Sequence, residues 1–163
     1  VTGAGAGTFP FETSSGVVDE IQPGSYALMD VDYAKNLMDE GSSTPRFESS
    51  LFILSSITSL RGDRMTLDAG TKAQSTDCGF AQPTFPGWQV RGVYDEHTVL
   101  DRVGDEARTD RHTDDKTHFA LGDKVRLVPG HVDPTVNLHD WFVVVSGDRV
   151  TDVWPIEGRG RFY

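Results

Sequence analysis

The sequence predicts a mainly β fold, an antiparallel β domain of the barrel or sandwich type. From residue 51 onward, apolar and β-branched residues alternate with polar ones, as they do in strands with one buried face. Short turn sequences rich in Gly and Asp separate these segments. No segment has the three- and four-residue apolar spacing of a long amphipathic helix. Together, these three observations favour a sheet over a helical bundle.

The predicted strands follow one another along the chain. LFILSSITSL (51–60) is rich in branched apolar residues, and the following RGD turns the chain into RMTLDAG (64–70). WQVRGVYD and HTVLDRV form a second extended pair over 88–103. WFVVVSGDRVTDVWPI (141–156) predicts a hairpin that turns at Ser146, Gly147 and Asp148.

The remaining segments are less regular. Residues 16–33 predict short extended pieces broken at Pro23 and Gly24, and YAKNLMDE (33–40) is the best helix candidate. The polar stretch 104–118 predicts a solvated loop. LVPGHVDPTVNL (127–138) has an apolar, strand-like pattern.

Composition narrows the classes of function. The chain has 163 residues, which suits one domain, and a net charge of −10, which disfavours nucleic acid and anionic membranes as partners. No apolar run approaches the ~20 residues of a membrane helix, and no signal peptide is visible at the Val start. The single cysteine, Cys78, fits a reducing compartment. We therefore expect a soluble, cytoplasmic protein.

One pair of residues is a candidate metal site. His131 and Asp133 are two positions apart, so on a strand their side chains share a face. An imidazole and a carboxylate suit Zn²⁺, Mn²⁺, Co²⁺ or Mg²⁺, and two protein ligands leave positions for water or substrate. A His–Asp hydrogen bond without metal fits the same pattern. The residues alone leave both interpretations open.

A second candidate is the N-terminal stretch VTGAGAGT. Its small residues Gly5, Ala6 and Gly7 allow backbone N–H groups to approach a phosphate, although a flexible linker has the same composition. Other polar residues are interpreted by default as surface groups or inert side chains. These residues are Asp68, Lys72, Cys78, Glu96, His97, His112 and His118.

Four motifs, taken in order, resemble one family. VTGAGAGTF, EIQPGSYALMDVDY, LDAGTKA and LGDKVRLVPGHVDPTVNL are similar to segments of D-threonine aldolases and the related D-serine dehydratases. Those enzymes resemble alanine racemase (fold type III): a pyridoxal-phosphate (β/α)₈ barrel followed by a β domain. The resemblance implies that residues 1–23 end the barrel with its phosphate-binding loop. Residues 24–163 would then be the C-terminal β domain.

The resemblance also implies roles for individual residues. His131 and Asp133 match the family's metal ligands and would take part in catalysis, whereas the dehydratases commonly have Cys at the second position. Gly5, Ala6 and Gly7 match the phosphate loop, although Ala6 replaces a Thr and removes a hydroxyl contact. Tyr26 lies where it would border the cofactor ring.

The function implied is that of a metal- and pyridoxal-phosphate-dependent D-threonine aldolase, which cleaves D-3-hydroxy amino acids to glycine and an aldehyde. A D-serine or D-3-hydroxyaspartate dehydratase is the alternative, and a non-catalytic metal-binding β module is the alternative from another class. The resemblance further implies a homodimer, with Asp68 and Lys72 at the dimer interface or active-site entrance. None of the lysines matches the family's Schiff-base lysine, so we expect this chain alone to be inactive; they are Lys35, Lys72, Lys116 and Lys124. We also expect an exposed apolar patch near 20–33, where the barrel would pack.

Overall fold

The structure, a computed structural model, describes residues 1–36, 47–103 and 119–161. In these ranges the strands are β1 (Thr2–Gly3), β2 (Glu20–Ile21), β3 (Ile53–Arg61), β4 (Arg64–Leu67), β5 (Gln82–Pro83), β6 (Trp88–Val93), β7 (Thr98–Arg102), β8 (Lys124–Val128), β9 (Trp141–Ser146) and β10 (Arg149–Pro155). The α-helices are α1 (Phe9–Ser14) and α2 (Val132–Val136), and 3₁₀ turns cover Ser25–Ala27 and Tyr33–Lys35. The fold is mainly β.

Six strands form the principal sheet, in the order β5-β8-β3-β4-β7-β6. Every neighbouring pair in it is antiparallel. The edge strands β5 and β6 also contact each other, so the sheet is nearly closed into a barrel. The predicted mainly β, antiparallel class is therefore confirmed.

The alternation in the sequence explains how this sheet encloses a core. Along β3, buried Ile53 and Ile57 alternate with the exposed Leu54, so one face of the strand points inward. Met65, Leu67, Leu100 and Leu127 bring the same pattern from β4, β7 and β8, and each is fully buried. Burying side chains of this size contributes roughly 1.5–3 kcal/mol each. The core thus fixes the end of β8, from which the candidate site emerges.

Two predicted hairpins form where their turn sequences indicated. Gly62 turns β3 into β4 in a left-handed conformation (φ 56°), and Arg61 pairs with Arg64 across the turn. Gly147, with φ 60°, does the same between β9 and β10. A glycine accepts this backbone region without the steric cost that a side chain brings.

The N-terminal segment has a different connectivity. β1 and β2 pair in parallel, Thr2 with Glu20 and Gly3 with Ile21, and α1 lies between them in sequence. A parallel pair requires a crossover connection, which the helix supplies here. This β–α–β arrangement contrasts with the antiparallel sheet that follows.

The exposed apolar surface is not where we expected it. In residues 20–33, the large apolar side chain that is exposed is Tyr26, whereas Met29 is buried. The exposed apolar side chains concentrate instead on the β9–β10 hairpin, which forms a separate two-stranded sheet; they are Trp141, Val143, Val145, Val150, Val153 and Trp154. The predicted patch was therefore wrong in position.

Two local predictions also need correction. The helix expected over 33–40 begins as a 3₁₀ turn at Tyr33–Lys35, and positions 37–40 lie outside the described residues, as does the loop predicted over 104–118. The strand expected to continue through 127–138 ends at Val128, and α2 follows. Pro129 and Gly130 interrupt the ladder, because proline has no N–H to donate. No helix in the described ranges is long and apolar enough to cross a membrane.

Candidate metal centre

His131 lies at the junction of sheet and helix. The chain leaves β8 through Pro129 and Gly130, and His131 is the extended residue that precedes α2 (φ −141°, ψ 124°). Its carbonyl oxygen accepts a 2.6 Å hydrogen bond from Oγ1 of Thr135 one turn later. The buried Val132 anchors the start of the helix in the interior. The imidazole is thus held at the end of a strand that the core fixes.

A second segment, residues 29–33, holds this junction in place. Val31 N–H donates to the Pro129 carbonyl (2.9 Å), and Asp32 N–H donates to that of Gly130 (3.2 Å). The carboxylate of Asp30 is fully buried and accepts hydrogen bonds of 2.7 Å from the N–H groups of Val132 and Tyr33. Those two bonds offset the cost of burying the carboxylate. Asp30 therefore ties the start of α2 to the segment that follows the N-terminal region.

Asp133 lies beside His131, but not by the predicted route. His131 Nε2 and Asp133 Oδ2 are 3.6 Å apart. The two residues do not alternate along a strand; Asp133 is in the first turn of α2, where the chain bends its side chain back toward the residue before the helix. Two ligand atoms at ~2.1 Å from one cation, at about 110°, are separated by roughly 3.4 Å. The observed separation therefore suits two ligands of one metal ion.

The other ring nitrogen of His131 meets a loop that sequence reasoning did not connect with it. Nδ1 is 2.7 Å from Oδ2 of Asp77 and 3.4 Å from Sγ of Cys78. The carboxylate of Asp77 also accepts a hydrogen bond from Ser75 Oγ. Asp77 and Cys78 are 54 and 53 positions away in sequence from His131, and no local pattern marks them as its partners.

The loop that carries Asp77 is anchored at several points. Ser75 N–H donates to Thr135 Oγ1 in α2 (3.1 Å), and the buried Gln74 donates through Nε2 to Thr98 Oγ1 and the Ala69 carbonyl. Gly130 allows the close approach of Gly79, since a Cβ there would lie 2.2 Å from the Gly79 carbonyl oxygen. The two loops can therefore meet around His131 only because residue 130 has no side chain.

The charges around the imidazole determine its protonation. Hydrogen bonds from Ser75 and then His131 lower the pKa of Asp77 to about 2, so Asp77 is an ionised acceptor. Burial alone would lower the pKa of His131, but Asp77, Asp133 and Asp30 outweigh burial and raise it. Because an ionised carboxylate only accepts, Nδ1 carries the proton in this pair. In the neutral ring, Nε2 then keeps a lone pair for a metal ion.

Cys78 differs from a reactive thiol. Burial and the nearby charges of Asp77 and Asp32 raise the pKa of its thiol. The sulfur is thus protonated at neutral pH, in agreement with the interpretation of Cys78 as an inert side chain.

The glycine-alanine loop has the backbone features of an anion site. Ala6 is buried, and Ala4 is in a left-handed conformation (φ 64°). Within the described part of the chain, the N–H groups of Gly5, Ala6 and Gly7 have no hydrogen-bond acceptor, so they are available to a bound phosphate. Gly7 packs closely, because a Cβ there would lie 2.8 Å from Nδ2 of Asn36. The loop therefore fits a phosphate bound by backbone donors.

The other candidate residues have ordinary surroundings. Asp68, the residue after β4, accepts 2.7 Å hydrogen bonds from Ser55 Oγ and Ser56 N–H of the neighbouring strand β3. Lys72 forms a surface ion pair with Glu96. Tyr26 is 45% exposed and packs against Phe47 with the two rings tilted by 57°. His112, His118 and Lys116 lie outside the described residues.

Comparison with known proteins assigns the chain to a family. Residues 50–145, which include Asp77, His131 and Asp133, match the family described as "Putative serine dehydratase domain". The chain belongs to this family. The resemblance to D-threonine aldolases and D-serine dehydratases is thus confirmed.

Individual members of this group align over essentially the whole chain. The chain is 40% identical over 169 residues to a 3-hydroxy-D-aspartate aldolase of Paracoccus denitrificans (strain Pd 1222), covering 100% of the chain and 40% of that protein. It is 42% identical over 165 residues to a D-threonine aldolase of an Arthrobacter species, covering 98% and 39%. The crystal structure of D-threonine aldolase from Filomicrobium marinum superposes with a TM-score of 0.83 at 40% identity, covering 100% of this chain and 42% of that one. The chain thus spans about two fifths of the length of these relatives.

Proposed function

We propose that this serine dehydratase domain is the metal-binding part of an enzyme that cleaves D-3-hydroxy amino acids to glycine and an aldehyde. The observation that supports this most directly is the 3.6 Å separation of His131 Nε2 and Asp133 Oδ2, beside a carboxylate that holds the opposite ring nitrogen. Aldolases among its relatives, and Asp rather than Cys at position 133, favour cleavage over dehydration.

The proposal assigns a task to each side chain of the centre. His131 presents Nε2, and Asp133 adds a negative charge on the same side, so that together they hold Mn²⁺, Mg²⁺, Co²⁺ or Zn²⁺. Asp77 accepts the Nδ1 proton and so keeps the ring in the tautomer that binds metal. The side chain of Asp133 is 67% exposed, which leaves room for water and a substrate hydroxyl at the same ion.

The cofactors supply the remaining chemistry. When bound, the cation acts as a Lewis acid toward the 3-hydroxyl group, and pyridoxal phosphate accepts the electrons released from the Cα–Cβ bond. Gly5, Ala6 and Gly7 would bind the phosphate through backbone N–H groups, without the hydroxyl that Ala6 lacks. Tyr26 would border the cofactor ring.

We assign residues 1–23 to the end of a barrel domain and residues 24–163 to the C-terminal β domain. The parallel pairing of β1 and β2 around α1 supports the first assignment. Hydrogen bonds from Ser50 to the carbonyls of Ala27 and Leu28 support the second, because they attach the chain after Pro23 to the β domain. The complete enzyme is proposed to be a cytoplasmic homodimer whose Schiff-base lysine lies in the barrel, with Asp68 and Lys72 near the entrance or the subunit interface. The chain alone is proposed to be inactive.

Assay of the full-length protein tests the function. We expect the enzyme loaded with pyridoxal phosphate and Mn²⁺ to convert D-threonine into glycine and acetaldehyde in equal amounts. Asp133→Ala should abolish this activity while the absorbance of the bound cofactor is retained. Asp148→Ala is the matched control. It also deletes an exposed carboxylate, but in the β9–β10 turn, so it should keep activity.

The products separate the alternatives. A 2-keto acid and ammonia in place of glycine would identify a D-3-hydroxy amino acid dehydratase. Metal binding without turnover of either kind would identify a non-catalytic module. Full activity of Asp133→Ala after treatment with EDTA would show that His131 and Asp133 form only an ion pair, without a metal ion between them.

A further inference from the structure

The Nδ1 side of His131 has three potential metal ligands of its own. Oδ2 of Asp77, Sγ of Cys78 and Nδ1 of His131 all lie within 4.8 Å of one another. The separate distances are 2.7 Å from Nδ1 to Oδ2, 3.4 Å from Nδ1 to Sγ and 3.7 Å from Sγ to Oδ2. These atoms come from two loops that Gly130 and Gly79 bring into contact. None of them is needed as a ligand on the Nε2 side.

Two of the three distances already suit a tetrahedral cation. Zn–S bonds of ~2.3 Å with Zn–N and Zn–O bonds of ~2.0–2.1 Å place the sulfur roughly 3.5 Å from each lighter ligand. The same bond lengths place N and O roughly 3.3 Å apart, about 0.6 Å more than the present contact. That contact is short because the two atoms share a proton. The side chain of Asp77 is 49% exposed and so has space to move by this amount when a cation replaces the proton.

The surroundings favour a cation over an anion. Besides Asp77, the carboxylates of Asp32 and Asp30 place negative charge near the Cys78 sulfur. Lys35 offsets part of this charge through its 3.1 Å ion pair with Asp32. A thiol among carboxylates binds no anion, whereas a divalent cation relieves the repulsion and has a soft ligand in sulfur.

We propose that Asp77, Cys78 and Nδ1 of His131 form a second site, for a thiophilic divalent cation such as Zn²⁺, and that this site excludes metal at Nε2 and Asp133. The two sites exclude each other because the neutral imidazole of His131 carries one N–H proton. When a cation binds Nδ1 of the neutral ring, the ring proton moves to Nε2, which then has no lone pair for a second ion. The Cys78 thiol releases its proton to solvent on binding.

Cobalt titration of the whole chain tests this site. Cys78 is the single cysteine of the sequence, so thiolate-to-cobalt charge-transfer absorption can arise from Cys78 alone. We expect Co²⁺ to produce this absorption and to saturate at one ion per chain, and excess Zn²⁺ to remove it. Cys78→Ser should abolish the absorption, and Asp133→Asn should leave it in place. Asp77→Asn and His131→Gln each remove a direct ligand, so each should weaken Co²⁺ affinity by at least the ~10- to 100-fold that loss of an outer-shell partner costs.

Several outcomes would overturn the proposal. One is the absence of charge-transfer absorption in the wild-type chain. Another is unchanged Co²⁺ affinity in both Asp77→Asn and His131→Gln, which would show that cobalt binds the Cys78 thiol alone. Saturation at two ions per chain with the absorption present would refute the mutual exclusion. Circular dichroism of each variant verifies folding. Where a variant fails to fold, the absorption and the stoichiometry of the wild-type chain still test the proposed site. Because no turnover is measured, loss of the proposed aldolase function would leave these results unchanged.

Discussion

Substituting Gly130 by alanine is expected to separate the two loops that meet at His131. The new Cβ would lie 2.2 Å from the Gly79 carbonyl oxygen, 2.9 Å from its carbonyl carbon and 3.1 Å from that of Phe80. These are backbone atoms, so no side-chain rotation relieves the clash. Real Cβ contacts do not fall below 3.0 Å, so the 79–80 segment must retreat by about 0.8 Å.

The retreat has a calculable effect on the centre. Asp77 is two residues from Gly79, so the same displacement would lengthen its 2.7 Å contact with His131 Nδ1 to about 3.5 Å, beyond hydrogen-bonding distance. Overpacking costs ~1–3 kcal/mol, and the lost hydrogen bond to the exposed Asp77 carboxylate adds little to this. The expected loss is therefore about 1–3 kcal/mol in the free energy of unfolding. A ring released from Asp77 should also bind Mn²⁺ ~10- to 100-fold more weakly.

Urea unfolding and Mn²⁺ titration of the wild-type and variant chains measure these two quantities. Gly158→Ala is the matched control, because a Cβ at Gly158 meets no atom within 4 Å and its φ lies outside the left-handed range. The control should change stability by less than ~0.5 kcal/mol. If Gly130→Ala matched the control in both measurements, contact between the loops would not be what positions Asp77.

Three further outcomes are expected. Asp77→Asn should weaken Mn²⁺ binding by ~10- to 100-fold and should shift the ¹⁵N resonances of His131 away from the Nδ1–H tautomer; unchanged resonances would contradict the proposed role of Asp77. Leu127→Ala should cost ~2–5 kcal/mol of stability, since Leu127 is fully buried in β8, whereas Leu121→Ala, at a 68% exposed position, should cost little in the same urea experiment. Burial would raise the pKa of Asp68, but hydrogen bonds from two serines of β3 outweigh it and lower that pKa. Asp68 therefore stabilises the fold above pH ~4, and this stabilisation is lost as the pH falls through the folded-state pKa. Asp68→Asn should reduce the acid-induced loss of unfolding free energy by at most ~1 kcal/mol. An unchanged dependence of stability on pH in the acid range would contradict this.

The strands and tight hairpins could be predicted because the signals for them are local. Alternation along 51–60 decides which side chains of β3 are buried, and a glycine two residues after that segment decides the turn into β4. The same local logic failed after Val128, where an apolar run resembled a strand but Pro129 and Gly130 released the chain into α2. Apolar residues alone do not distinguish a short buried helix from a strand.

Some contacts of the candidate site could likewise be predicted from local sequence, and others could not. His131 and Asp133 are neighbours in sequence, so their association was predictable even though the predicted backbone geometry was wrong. Asp77 and Cys78 have no local feature that relates them to His131. Their approach depends on the sheet, on Ser75 donating to Thr135, and on the missing side chain of Gly130.

By itself, therefore, the sequence determined the mainly β class, the family and the proximity of His131 and Asp133. The tertiary structure alone decided what lies on the Nδ1 side, because that contact joins segments more than 50 residues apart. It also decided where Asp30 is buried and which apolar surface is exposed. The physical reason is that turn preferences and alternation act over a few residues, whereas the protonation of His131 depends on charges brought together only when the sheet closes.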